Sequence, residues 1–261
     1  MTTTTHTAAM NASATAGAAA TADRPAPGRR VIDAPLRMFH ALFGLAFAVA
    51  YATGDSESWR ALHVTAGYSM AGLLAFRLVY GLFGPRPARL SLRWRRVAGL
   101  GAWLRALPAQ LRSAGGPGAW RQGERLAVGL AMLALLALAL PVLASGWVVY
   151  QDWAGDAVAE LHEALASAML ALALAHAGWV LAGSVLRRRN LALPMLNGRL
   201  SGTRGPDLVT RDRRGLAALL LLAVLAFGTW QWQAYPQGLL PADGGRAGAH
   251  EGRPERAHDD D

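Results

Sequence analysis

The sequence predicts an all-α membrane protein with five transmembrane helices, the fifth of them C-terminal. Three observations predict it. The 261 residues are 53% hydrophobic and only 16% charged, whereas a soluble domain carries about 25% charged residues. Five apolar runs are each long enough to cross a hydrocarbon layer of ~30 Å, which takes about 20 helical residues. Arginines alternate in abundance between successive connections, as a membrane topology requires.

The segment 1–29 is rich in Thr and Ala and has almost no charge before Asp23. It lacks the basic start and apolar stretch of a signal peptide, so a disordered leader is expected. The spans are expected at 36–53, 61–83, 126–150, 160–186 and 215–235. Each is a continuous run dominated by Leu, Ala, Val and Phe, without the period-2 alternation of strands. Gly84-Pro85 and Pro87 stop the second helix, because proline cannot continue a helix and glycine favours its end. The loop 84–125 that follows is basic. Its stretch 90–112 mixes Leu with Arg and with Trp94 and Trp103, which suits either a helix lying on the membrane surface or an irregular basic loop. Trp147, Trp153, Trp179, Trp230 and Trp232 lie in or near spans and suit the interfacial aromatic belt. A basic linker and the fifth span occupy 201–240, and a polar tail at 241–261, rich in Gly, Arg, Asp and Glu, reads as disordered.

The arginines also set the orientation. Arg24, Arg29, Arg30 and Arg37 precede or open the first span. Ten lie in or beside the connection of spans two and three, from Arg77 and Arg86 to Arg125, and eight between spans four and five, from Arg187 to Arg214. The other side has only Arg60 between spans, with Asp55, Glu57, Asp152 and Asp156. The positive-inside rule then puts the N-terminus in the cytoplasm and the C-terminus in the periplasm. The net charge of +9 and pI near 11.2 are therefore a topology signal, and nucleic acid is not an expected partner.

The chain has no cysteine. Disulfides, thiolate zinc sites, iron–sulfur clusters and covalent c-type haem are excluded, so a bound haem would be b-type, held by side chains alone. Four histidines, His40, His63, His162 and His176, fall inside apolar stretches, while His6, His250 and His258 lie in polar tails. An ionisable or metal-ligating side chain inside a bilayer is costly and marks function. His162 and His176 are 14 residues apart, which is ~21 Å and nearly four whole turns of helix. They share one face at two depths. His63 begins a span that starts at the same surface as His162, and His40 lies near the opposite surface, as His176 does. The expected pairs are His63/His162 on the outer level and His40/His176 on the inner level, each pair spanning two helices as bis-His haem ligation across a bundle core needs. Two haem b groups are expected, held within 30–200. Gly44, Gly67, Ala166, Ala173 and Gly178 flank these histidines and would let a flat macrocycle approach. Glu163 is either a hydrogen-bonding partner of its neighbour His162 or a solvated interface residue.

These stretches resemble the bacterial cytochrome b561 and nickel–iron hydrogenase b-type cytochrome family. The resemblance is carried by Asp33-Ala34-Pro35-Leu36-Arg37-Met38-Phe39-His40, by Leu62-His63-Val64-Thr65-Ala66-Gly67-Tyr68, and by Phe76-Arg77-Leu78 with Gly81-Leu82-Phe83-Gly84-Pro85-Arg86 and Ala88-Arg89. Leu161-His162-Glu163-Ala164-Leu165-Ala166, Ala175-His176-Ala177, Arg189-Asn190-Leu191 and Asn197-Gly198-Arg199 continue it. The segment 118–124 and the fifth span fall outside the pattern. The resemblance implies a four-helix bundle with two b haems that carries electrons across the bacterial inner membrane, with His40 and His176 as inner ligands and His63 and His162 as outer ones.

The expected function is one-electron relay between a membrane quinone and a redox partner at the outer face, such as a c-type cytochrome, a hydrogenase-like subunit or a molybdoenzyme. Such a chain is an electron-transfer subunit of an oxidoreductase rather than a stand-alone catalyst, and a homodimer is one assembly it would allow. Arg37, Arg60, Arg77 and Arg86 are each either neutralisers of haem propionates or charges that set topology. One alternative is a haem quinone reductase acting on a small reductant such as superoxide, against which the acidic outer loops count. Another is a haem-free membrane anchor or assembly factor.

Overall fold

A computed structural model describes residues 28–91, 101–102, 105–106, 108–109, 117–200 and 205–235. The expected leader up to residue 27, most of the 90–112 stretch and the tail lie outside the described residues. The main helices are α1 (Ala34–Thr53), α2 (Arg60–Phe83), α3 (Pro117–Tyr150), α4 (Asp156–Leu186) and α6 (Arg214–Ala234), with a short α5 (Leu193–Asn197) and two short strands, β1 (Arg29–Arg30) and β2 (Arg199–Leu200). Five helices are long and apolar enough to cross a membrane. The protein is an all-α, multi-pass membrane protein.

Local chemistry explains the ends. Pro35 opens α1, where the missing N–H is no loss and the fixed φ suits a helix. At Gly84 a Cβ would lie 2.2 Å from the Tyr80 carbonyl, so α2 turns off there. Gly198 closes α5 in the left-handed region at φ 77°, a conformation glycine adopts without penalty. The helices α3 and α4 are 34 and 31 residues long, and α3 begins at Pro117 rather than near residue 126. Apolar composition marks only the part of a helix that lies in lipid. The backbone ladder continues through the charged stretch 121–125 as well.

The antiparallel hairpins α1/α2 and α3/α4 provide most of the helix packing, and α2 against α3 joins them. One core holds Ala50, Ala66, Met70, Leu74, Ala139, Val142 and Met169. A second holds Leu36, Phe39 and Leu73, with Leu220 and Val224 of α6 packed against it. The fifth helix is thus docked on α1. Lipid tails are as apolar as leucine, so this association rests on close packing and polar contacts rather than on a hydrophobic drive. Leu181, Leu186, Leu219 and Leu222 face outward, as lipid-facing residues should.

A polar clasp ties one end of the bundle. Arg29 pairs with Leu200 and Arg30 with Arg199 in the two-stranded ribbon, so the folded domain already includes Arg29. Asp212 accepts from the Ala34 N–H at 3.0 Å and pairs with Arg37 at 3.4 Å and Arg214 at 3.0 Å. Burial works against its charged form, but the bond from Arg214, the charges of Arg37 and Arg30 and the Ala34 N–H outweigh it and hold the carboxyl below its ordinary range. Buried Asp33 accepts a hydrogen bond from the Tyr80 hydroxyl and lies 3.9 Å from Arg213.

Candidate functional site

The bundle encloses two cavities, one above the other along α1. The first, about 180 Å³, is lined by His63, His162, Gly67, Ala166, Gly146 and Trp147 among others. The second, about 270 Å³, is lined by His40, His176, Gly44, Ala173, Ala177 and Arg77 among others. The structure therefore brings His63 and His162 to one cavity and His40 and His176 to the other. Phe47 is the residue shared by both described linings.

The His63/His162 pair is oriented by neighbouring backbone. His63 Nδ1 lies 2.8 Å from the Ala50 carbonyl oxygen. Ala50 stands in the last turn of α1, where carbonyls lack the usual N–H partner of the helix, and its oxygen also accepts from Thr53 Oγ1 at 3.3 Å. A carbonyl can only accept, so Nδ1 carries the proton and Nε2 keeps its lone pair. His162 is held alike. Its Nδ1 lies 3.0 Å from the Val142 carbonyl oxygen and 3.1 Å from Ser145 Oγ. The two rings have centroids 6.3 Å apart and planes at 87°. A group bound between the two rings would be held by both, through the nitrogens that the carbonyls leave unprotonated.

Gly146 makes this possible. A Cβ there would sit 2.7 Å from His162 Cε1, so only glycine admits the imidazole. Gly44 and Gly67 differ, since a Cβ at either meets no protein atom within 4 Å. They leave open wall beside His40 and His63 that a flat macrocycle could cover. His40 is exposed on its cavity wall and His176 half-buried. Among the described residues no protein hydrogen bond holds either inner ring.

Some expected features fall elsewhere. Gly178 is absent from both described linings. Glu163 is exposed, and the Val142 carbonyl takes the role it was offered. Arg77, grouped by sequence with the inner loop, is 2% exposed inside α2. Arg37 is engaged with Asp212 and with the Leu196 carbonyl at 2.9 Å. The outer cavity continues into a polar mouth lined by Asp55, Glu57, Arg60, His63 and His162. Sequence reasoning missed Ser145, Gly146 and Phe47. Their only signal was a small pair one turn beyond Pro141 and an aromatic midway along α1, neither distinctive in this composition.

No group of three or more His, Cys, Asp or Glu that could hold a bare metal ion occurs among the described residues. Two imidazoles suffice where a porphyrin provides the remaining nitrogens. The cavities with two histidines each and the open glycine walls fit such a group.

A model of the family described as prokaryotic cytochrome b561 matches residues 31–198. Comparison with curated proteins and with solved structures gives no match.

Proposed function

The chain belongs to the prokaryotic cytochrome b561 family and is a membrane-embedded b-type cytochrome of electron transfer, and from this premise we propose that it relays electrons through two bis-His haem b groups between a membrane quinone and a redox partner at the outer face. His63 and His162 are the outer ligands, His40 and His176 the inner ones. The membrane is the bacterial inner membrane, with the N-terminus cytoplasmic.

The observation that carries this reading is the His63/His162 pair, 6.3 Å apart between centroids and each anchored through Nδ1 to a carbonyl of a neighbouring helix. Haem, when bound, supplies a one-electron iron couple whose potential the protein tunes through ligands, burial and hydrogen bonds. The chain's residues do the rest. The Ala50 and Val142 carbonyls fix the tautomer and raise the basicity of the ligating nitrogen. Phe47 and the packed Met70 and Met169, each 2% exposed, fill the space between levels and exclude water. The polar mouth at Asp55, Glu57 and Arg60 gives an outer partner a short approach to the outer histidines.

The test is a reduced-minus-oxidised spectrum with haem quantitation on the purified protein. Two b haems per chain are expected. His63→Ala and His162→Ala should each remove the same spectral component, and His40→Ala and His176→Ala the other. A colourless protein, or folded single variants that lose neither or both components, would refute the assignment.

A further inference from the structure

Arginine inside a transmembrane helix is expensive and faces an interior partner or pathway. Arg77 is such a residue. It lies in the interior of α2, is 2% exposed and lines the cavity of His40 and His176. The other described residues of that wall are Leu, Phe, Met, Ala, Gly and His, with no Asp or Glu among them. A wall that carries one arginine among apolar residues and histidines favours an occupant bearing an acid group. Guanidinium has five donors in a planar fork that matches a carboxylate, so it can serve an occupant whatever else of the protein it bonds.

The fold makes room for this head group. A Cβ at Gly81, one turn beyond, would lie 2.7 Å from Arg77 Nη1 and 2.6 Å from Leu90 Cγ. Glycine there leaves room for Arg77 Nη1 and the Leu90 side chain beside the helix. The other arginines near the site are placed differently. Arg37 is tied into the clasp with Asp212 at 3.4 Å, Arg60 pairs with Glu57 at 3.7 Å at the opposite, outer mouth, and Arg86 is exposed.

We propose that Arg77 binds a porphyrin carboxylate of the inner haem, so that it both retains that haem and raises its reduction potential. The proposal rests on the two-haem reading above. A cation beside the macrocycle offsets the propionate's charge and favours the form with one more electron. Charge-assisted bidentate pairs are the strong ones, and about 1.4 kcal/mol corresponds to tenfold in affinity.

The experiment compares the purified holoprotein with Arg77→Gln and Arg77→Lys by redox titration and by haem transfer to excess apomyoglobin. The inner component is identified as the one absent from His40→Ala. In Arg77→Gln that component should fall in potential and its haem should leave at least tenfold faster, with the outer component unmoved. Arg77→Lys, which keeps a point charge but not the fork, should recover most of the potential and only part of the retention. Unchanged inner potential and release in Arg77→Gln, with both haems present, would overturn the role of Arg77 alone. Movement of the outer component instead would also overturn it. If Arg77→Gln does not accumulate, Arg77→Lys decides by release rate, and wild-type retention there refutes the proposal. A preparation in which His40→Ala keeps both components removes the two-haem reading itself, and this proposal with it.

Discussion

Gly146→Ala adds one methyl group and should disable the outer site selectively. The new Cβ would lie 2.7 Å from His162 Cε1, 3.2 Å from Nδ1 and 3.4 Å from Nε2. The obstacle is a ring anchored to the Val142 carbonyl at 3.0 Å, so something must move. Overpacking costs about 1–3 kcal/mol, and displacing the ring from its carbonyl forfeits a hydrogen bond worth about 0.5–1.5 kcal/mol net. Against this, alanine gains about 0.5–1 kcal/mol over glycine within a helix. The balance is a penalty of roughly 0.5–4 kcal/mol on the ligating position of His162, or roughly twofold to several hundredfold weaker hold on the outer haem. The protein can escape by swinging the ring away, so the helix itself should remain folded. The assay is haem stoichiometry and redox titration of the purified variant, with circular dichroism as the check on folding. The outer component should be lost or shifted and the inner one should remain. Full retention of both components with unchanged outer potential would refute the placement of His162 as a ligand. Loss of the inner component alone would refute it equally.

Gly67→Ala and Gly44→Ala should behave differently, because a Cβ at either meets no protein atom within 4 Å. Each should leave the haem-free protein as stable as before, or more so by up to about 1 kcal/mol, yet lower haem retention at its own level, measured by thermal unfolding with and without haem. Phe47→Ala should join the two cavities and slow electron passage between the redox components while leaving both potentials near wild type, as read by flash-initiated kinetics. Phe47→Leu should recover stability more fully than rate. The clasp should be acid-sensitive. Because Asp212 has a folded pKa below its ordinary value, its stabilisation is present above the unfolded value of about 3.9 and is lost as pH falls through the lower folded value. The unfolding-temperature difference between wild type and Asp212→Asn should therefore hold at neutral pH and shrink below about pH 4.

The sequence by itself determined the membrane class and the five spans, and it singled out the four histidines that line the two cavities. These follow from one-dimensional facts. Lipid requires continuous apolar helices, and ionisable residues stand out against such a background. The spacing of His162 and His176 was readable because helical geometry within one element is fixed. Whatever depends on how separate helices meet was left to the tertiary structure. It decided that Gly146, on α3, is the surface His162 leans on, and that carbonyls of Ala50 and Val142 orient the outer rings. It put Arg77 into the inner cavity while Arg37 turned to Asp212, although the two look alike as span-flanking arginines. It also made the fifth helix a packed neighbour of α1. The physical reason is that helix–helix contact in a bilayer gains nothing from burying more apolar surface. Register is chosen by small residues, backbone carbonyls and buried charges, and their partners lie far away along the chain.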